Sequence, residues 1–116
     1  IGNVDLGQDV RMLFADYLDA GAVGQLRKTG AVGDICMRFF DIQGAPVEGA
    51  FEHLFSIELA QLAAIPRKIA VASGVSKSAA ILGAVRGGYV DTLVTDSVAA
   101  TEVLRLAEGP DDGSDR

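Results

Sequence analysis

Two short apolar runs in the C-terminal half set the tightest limit on what this chain can fold into. Ile69-Ala70-Val71-Ala72 and Thr92-Leu93-Val94-Thr95 are each followed by a stretch with helical spacing. Uninterrupted apolar runs of this length suit strands covered on both faces, as in a parallel sheet. The first run leads through Ser73-Gly74-Val75-Ser76-Lys77 into a helix carrying Ala80, Ile81, Leu82 and Val85, stopped by Gly87-Gly88. The second leads into a helix starting near Asp96 that buries Ala99, Val103, Leu104 and Leu106. Strand–helix–strand–helix order predicts a right-handed crossover and an α/β fold with a parallel sheet.

Upstream the pattern changes. Val10, Leu13, Phe14, Tyr17 and Leu18 fall on one helical face. A second helix is expected from Asp19 as N-cap to Gly30, burying Val23 and Leu26; Gly21 and Gly24 weaken it. From Asp34 to Asp41 the period becomes two, with Ile35, Met37 and Phe39 alternating with Cys36, Arg38 and Phe40. Ile42-Gln43-Gly44 supplies a turn, Pro46-Val47 resumes an extended run, and His53-Leu54-Phe55 reads as another short strand. This section reads as a β-excursion, antiparallel or at an edge. Ser56 is placed to cap a short helix with Leu59, Leu62 and Ala63 inward, ended by Pro66.

At 116 residues there is room for one domain. Ten Lys and Arg against sixteen Asp and Glu leave a net charge of −6, which argues against nucleic-acid binding by these residues alone. No apolar run nears the roughly 18–20 residues of a membrane span. One Cys and one His exclude an internal disulfide, a cysteine zinc site and a histidine-rich metal centre. No cofactor is called for. Ile1-Gly2-Asn3-Val4 reads as a strand taken out of a longer protein, and residues 109–116 read as a disordered tail.

The stretch 73–77 is the most informative for chemistry. In open α/β sheets ligands sit beyond the carboxyl ends of the strands, where this loop falls. A helix N-terminus there offers unpaired amides and the positive dipole end. Gly74 permits close backbone approach, Ser76 is a cap or hydroxyl donor, and Lys77 is a cation in the first turn, where the dipole disfavours it. An anion between Lys77 and the dipole relieves that conflict. The loop is neither a Walker A nor a Gly-x-Gly-x-x-Gly sequence, and an ordinary βα turn with an exposed lysine is the plain alternative. Asp34 is the second candidate. If its strand runs antiparallel, it shares a sheet edge with Lys77, where it would accept sugar hydroxyls or orient the ammonium; the plain alternative is an exposed turn aspartate. Cys36 reads as an inert buried thiol, Arg38 as part of a solvated or interface face, His53 as partly exposed or hydrogen-bonded, and Thr95-Asp96 as the cap of the last helix.

Gly30-Ala31-Val32-Gly33-Asp34-Ile35, then Arg38-Phe39-Phe40-Asp41 and Gly44-x-Pro46-Val47, resemble the effector-binding domain of SorC-type sugar-responsive transcriptional regulators. So do Ile65-Pro66-Arg67, Val71-Ala72-Ser73-Gly74-x-x-Lys77, Ala80-Ile81-Leu82-x-Ala84-x-Arg86-Gly87-Gly88 and Leu93-Val94-Thr95-Asp96 with Ala99-Ala100. The resemblance implies a Rossmann-like fold of the ribose-5-phosphate isomerase and CoA transferase kind. Residues 1–108 would be the C-terminal part of the domain. By the same resemblance Lys77 approaches a ligand phosphate, Gly74 is the loop glycine and Asp34 faces the sugar. Ser73 stands where the family commonly has glycine, and Phe14 where it often has arginine, so a less charged sugar is in view.

The expected function is therefore a non-catalytic, cytoplasmic sensor in a homo-oligomer. A phosphorylated sugar or related carbohydrate would bias one subunit arrangement, and DNA would be engaged only through a helix-turn-helix outside this chain. The rival class is a sugar-phosphate isomerase or deaminase fragment, with Asp34 and Lys77 drawn as proton-transfer groups. A purely structural or oligomerisation domain is the third reading.

Overall fold

The computed structural model describes residues 1–4, 24–26, 28–48 and 54–109. The expected helical face from Val10 to Leu18, the Asp19 cap, Val23, His53 and residues 110–116 lie outside the described residues. The elements are β1 (Gly2–Asn3), β2 (Ala31–Ile35), β3 (Arg38–Asp41), β4 (Pro46–Val47), α1 (Leu59–Ala63), β5 (Ile69–Val71), α2 (Ser78–Arg86), β6 (Thr92–Val94) and α3 (Ser97–Glu108). One 3₁₀ turn, Val75–Lys77, runs directly into α2. The fold is mixed α/β: an antiparallel sheet in the order β1-β2-β3-β4, and a parallel pair, β5 and β6.

The parallel pair bears out the reading of the C-terminal half. Ile69 pairs with Thr92, Ala70 with Leu93 and Val71 with Val94, and α2 is the connection between the strands. The expectation that both strands are covered on both faces is not met among the described residues. Ala70 and Leu93 turn toward the core, whereas Ile69, Val71 and Val94 are 64%, 73% and 52% exposed. Among the described residues, helices cover one face of the pair only. Val85 and Leu104, expected inside, are also exposed.

The period of two between Asp34 and Asp41 is not one strand but a hairpin. Cys36 and Met37 form a two-residue turn with φ of 53° and 66°, the left-handed conformation that a two-residue hairpin of this hand demands at both positions. The register runs Asp34 to Phe39 and Ile35 to Arg38. Side-chain alternation carries through so short a turn, which is why the sequence reads as continuous. Phe39 and Phe40 are both buried, so β3 is covered on both faces. Cys36, at the tip, is exposed rather than buried. Arg38 is half-buried: its Nε donates to Ser56 Oγ at 3.1 Å and its Nη2 to the Ser56 carbonyl at 3.1 Å. Ser56 is thus engaged by arginine, and Glu58 is the N-cap of α1, its amide donating to Gln61 Oε1 at 3.0 Å. Ala63 is exposed, and Leu54 and Phe55 form no strand.

α2 is the central element, with Ser78, Ala80, Ile81, Leu82, Gly83 and Ala84 all buried. Its small residues let it lie against the antiparallel sheet: a side chain at Gly83 would strike the Asp41 carbonyl and the Phe40 ring. Phe40 packs with Tyr89, ring centroids 5.6 Å apart, and with Leu59, Ala84 and Val90. On the other side of α2, Ile81 joins Ala72 and Ala99, with Leu93 and Val103 at the margin. The Tyr89 hydroxyl donates to the Gly44 carbonyl at 2.5 Å, and Asp41 accepts from the amides of Gln43 and Ala45 at 2.9 Å, closing the expected turn at 42–44. Leu26 is buried, as expected, and the chain turns at Thr29 and Gly30.

Candidate functional site

The loop after β5 is built by backbone geometry. The Ala72 amide donates to the Val94 carbonyl at 3.0 Å, extending the parallel pair by one residue. The chain then turns at Gly74, with φ 99° and ψ 134°, a conformation open only to glycine without strain. The Lys77 amide donates to the Gly74 carbonyl at 3.0 Å and closes the 3₁₀ turn, and Ser78 Oγ donates to the Val75 carbonyl at 2.7 Å. First-turn position leaves the amides of Val75 and Ser76 without partners inside the turn. Ser73, Gly74 and Ser76 are exposed and Lys77 is half-buried.

β1 brings the second candidate to this loop. Asn3 Nδ2 donates to the Ser76 carbonyl at 3.1 Å, tying β1 to the turn. Gly2 pairs with Asp34 across β1 and β2, and a side chain at Gly2 would collide with Asp34 Oδ1. Asp34 is therefore tucked against bare backbone and is 8% exposed. Its Oδ2 accepts from the Met37 amide at 3.2 Å, which holds the hairpin tip. Burial pushes its carboxyl pKa up; the Met37 amide, then the ammonium of Ile1 and last the charge of Lys77 pull it back. Asp34 and Lys77 are thus within electrostatic reach of one another, with no ion pair joining them among the described residues. The exposed turn aspartate is excluded: Asp34 is buried and also serves the turn.

Asp96 does more than cap α3. Its Oδ1 accepts from the Ala99 amide at 2.8 Å, the expected cap, and its Oδ2 accepts from the Gly74 amide at 2.7 Å. These amides, Ala99 first, hold the carboxyl below the usual range. The Gly74 amide is therefore already engaged, and the donors left in the loop include the amides of Val75 and Ser76, the Ser73 and Ser76 hydroxyls and the Lys77 ammonium. Sequence reading could find the cap but not the bond across 22 residues to Gly74. Thr95, read together with Asp96 as the cap, does not share that role: its hydroxyl is buried without a hydrogen-bond partner among the described residues just past β6. A groove of about 280 Å³ lies elsewhere, between Arg38, Pro46, Glu48 and Glu58. A shallow depression of about 330 Å³ borders the loop itself, lined by Val75, Ser97, Val98, Thr101 and Glu102. Among the described residues no cluster of His, Cys, Asp and Glu is arranged to hold a metal ion.

Comparison with known proteins places this geometry. Residues 1–105 match the family model described as "Putative sugar-binding domain". The transcriptional regulator LsrR of Klebsiella pneumoniae is 38% identical over 109 residues, covering 92% of this chain and 34% of that protein. LsrR of Escherichia coli K12 is 42% identical over 80 residues, 25% of its length, so the chain spans a quarter to a third of these relatives. Among solved structures, a transcriptional regulator from Streptococcus pneumoniae TIGR4 superposes with a TM-score of 0.82 at 32% identity, covering 92% of this chain and 40% of that one. The full-length sorbitol operon regulator SorC from Klebsiella pneumoniae superposes with a TM-score of 0.66 at 38% identity, covering 75% of this chain and 28% of that one. With a family match over nearly its whole length and a fold shared with these regulators, the chain belongs to the sugar-binding domain family of SorC-type transcriptional regulators.

Proposed function

We propose that this chain is the effector-binding part of a sugar-responsive, DNA-binding transcriptional regulator, and that the loop at 73–77 takes a sugar or sugar phosphate. The observation that carries the reading is the meeting of Asp34, Ser76 and Lys77 around β1, at the carboxyl end of β5. Lys77 and the first-turn amides would meet an anion, Asp34 would accept sugar hydroxyls, and Ser73, Gly74 and Ser76 would line the approach. Residues 1–108 would form the C-terminal part of a Rossmann-like effector domain, with 109–116 as a tail. The open apolar face of β5 and β6 suits a parallel pair that other parts of such a domain would cover. The domain would act without turnover, in the cytoplasm. Ligand would bias one arrangement of a homo-oligomer over another, for which a coupling of about 1–3 kcal/mol suffices. DNA would be held by a helix-turn-helix elsewhere in the protein.

The test is a thermal-shift screen of free and phosphorylated sugars, followed by a turnover assay on each hit. A ligand bound only by the native state raises the melting temperature by mass action. Stabilisation without conversion supports the sensor, and conversion of the hit overturns it. Lys77→Ala should weaken a phosphorylated ligand by about tenfold or more, the worth of one charged hydrogen bond, and scarcely change a neutral one. Equal loss for both would remove the phosphate role of Lys77.

A further inference from the structure

β1 touches both halves of the site, one with each of its residues. Successive residues of a strand face opposite sides, so Gly2 and Asn3 look in different directions. Gly2 pairs with Asp34 and supplies the bare backbone against which that carboxyl lies. Asn3 pairs with Gly33, and its Nδ2 donates to the Ser76 carbonyl at 3.1 Å. Ser76 directly precedes Lys77 in the 3₁₀ turn. The frame around this bond is tightly packed. A side chain at Gly33 would strike Ala80 of α2 and the Gly2 carbonyl, and the Val4 amide extends the β1–β2 pair by donating to the Val32 carbonyl at 3.1 Å. The Lys77 amide and Ser78 Oγ bond back into the turn, and the Gly74 amide bonds Asp96. None of these reaches the antiparallel sheet; the Asn3 bond does.

Asp34 feels the charge of Lys77, after that of the Ile1 ammonium, yet no ion pair joins it to Lys77 among the described residues. Opposite charges free to move would close such a gap. Here Asp34 is held by the Met37 amide and by Gly2, and Lys77 belongs to a turn that Asn3 ties down. A group that both donates and accepts, as a sugar hydroxyl does, suits a space kept open between a carboxylate and an ammonium. Resting on the reading of the loop as a sugar site, we propose that Asn3 is a positioning residue of that site: its bond to the Ser76 carbonyl holds the Lys77 turn at a set distance from Asp34, and so sets how Lys77 meets the ligand. Asn3 acts through Ser76 and Lys77 and need not touch the ligand itself.

The experiment uses the full chain, Asn3→Ala and Asn3→Ser, each with Lys77 intact and with Lys77→Ala. The Asn3 bond is exposed, so its loss should leave the fold intact, and a thermal melt verifies this. Serine keeps a donor at the position. The first measurement needs no ligand: the Asp34 carboxyl is titrated by NMR. The Met37 amide and the Ile1 ammonium act on it in every variant. With Asn3 present, Lys77→Ala should raise the Asp34 pKa, because a cation favouring the ionised form is gone. With Asn3→Ala the same change should raise it less, and Asn3→Ser should fall between. Equal rises in both backgrounds, or none in either, overturn the proposal. The second measurement is calorimetric titration with free pentoses and hexoses and the matching monophosphates. Asn3→Ala should weaken the tightest-bound probe about three- to tenfold, the worth of one hydrogen bond, when Lys77 is present, and scarcely when it is alanine. A purely structural role would cost the same in both backgrounds, and that result removes the inference while the sugar reading stands. So does a tightest probe that Lys77→Ala does not weaken. If no probe binds any of these proteins, the sugar reading itself falls and takes this inference with it.

Discussion

Asp34 and Asp96 border the same loop and are driven in opposite directions. Burial raises the pKa of Asp34 from 3.8 against the Met37 amide, the Ile1 ammonium and Lys77, while the amides of Ala99 and Gly74 lower that of Asp96 from 3.8. An acid with a raised folded pKa binds its proton more tightly in the folded chain. Asp34 therefore favours the fold most when protonated, and that contribution is lost as pH climbs from 3.8 through the higher folded value. Asp96 works the other way, supporting the fold above 3.8 and ceasing to do so as pH falls through its lower folded value. Asp34→Asn should raise the melting temperature at neutral pH, because the amide keeps an oxygen for Met37 without burying a charge, and should weaken sugar binding. Melts of wild type and variant from acid to neutral pH check this: the gap should widen as pH rises. A variant that melts lower than wild type at neutral pH would mean that the ionised carboxylate holds the hairpin tip better than an amide can. The sequence placed Asp34 and Lys77 near each other, but not the reason for Asp34's burial, which depends on bare backbone at Gly2, its partner on the neighbouring strand and far from it in sequence.

Among the elements, β5, the loop, α2, β6 and α3 could be read directly, because each apolar run ends at a glycine, a cap residue or a change of period. The β2–β3 hairpin could not. Cys36 and Met37 carry none of the Gly, Asn or Asp chemistry that marks a left-handed turn, so the sequence offers no punctuation there. The N-cap of α1 was misread for a related reason: Ser56 has the better capping side chain, yet Arg38 claims it from another strand. α2 offers a test in which local propensity and packing disagree. Gly83→Ala should gain up to about 1 kcal/mol in helix propensity. The added methyl would press on the Asp41 carbonyl, which is backbone and cannot swing aside. Overpacking of this kind costs about 1–3 kcal/mol, so a net loss of stability is expected in urea unfolding. A more stable variant would show that α2 can slide on β3.

On the scale of the whole molecule, the core is divided about α2, and among the described residues the outer face of the parallel pair contributes nothing to it. Ile81 is fully buried between Ala72 and Ala99, while Val71 is 73% exposed. Ile81→Ala should cost about 2–5 kcal/mol. Val71→Thr should stay within about 0.5 kcal/mol, as for an ordinary surface change. Comparable losses from the two, measured by denaturant unfolding, would mean that the β5–β6 face is covered in solution. The hairpin tip has a practical use as well. The chain's one thiol, Cys36, stands exposed one residue before the amide that Asp34 holds. A dye coupled there through a maleimide needs no engineered attachment point, and its emission would report, in real time, any carbohydrate that draws the Asp34 carboxyl away from the turn.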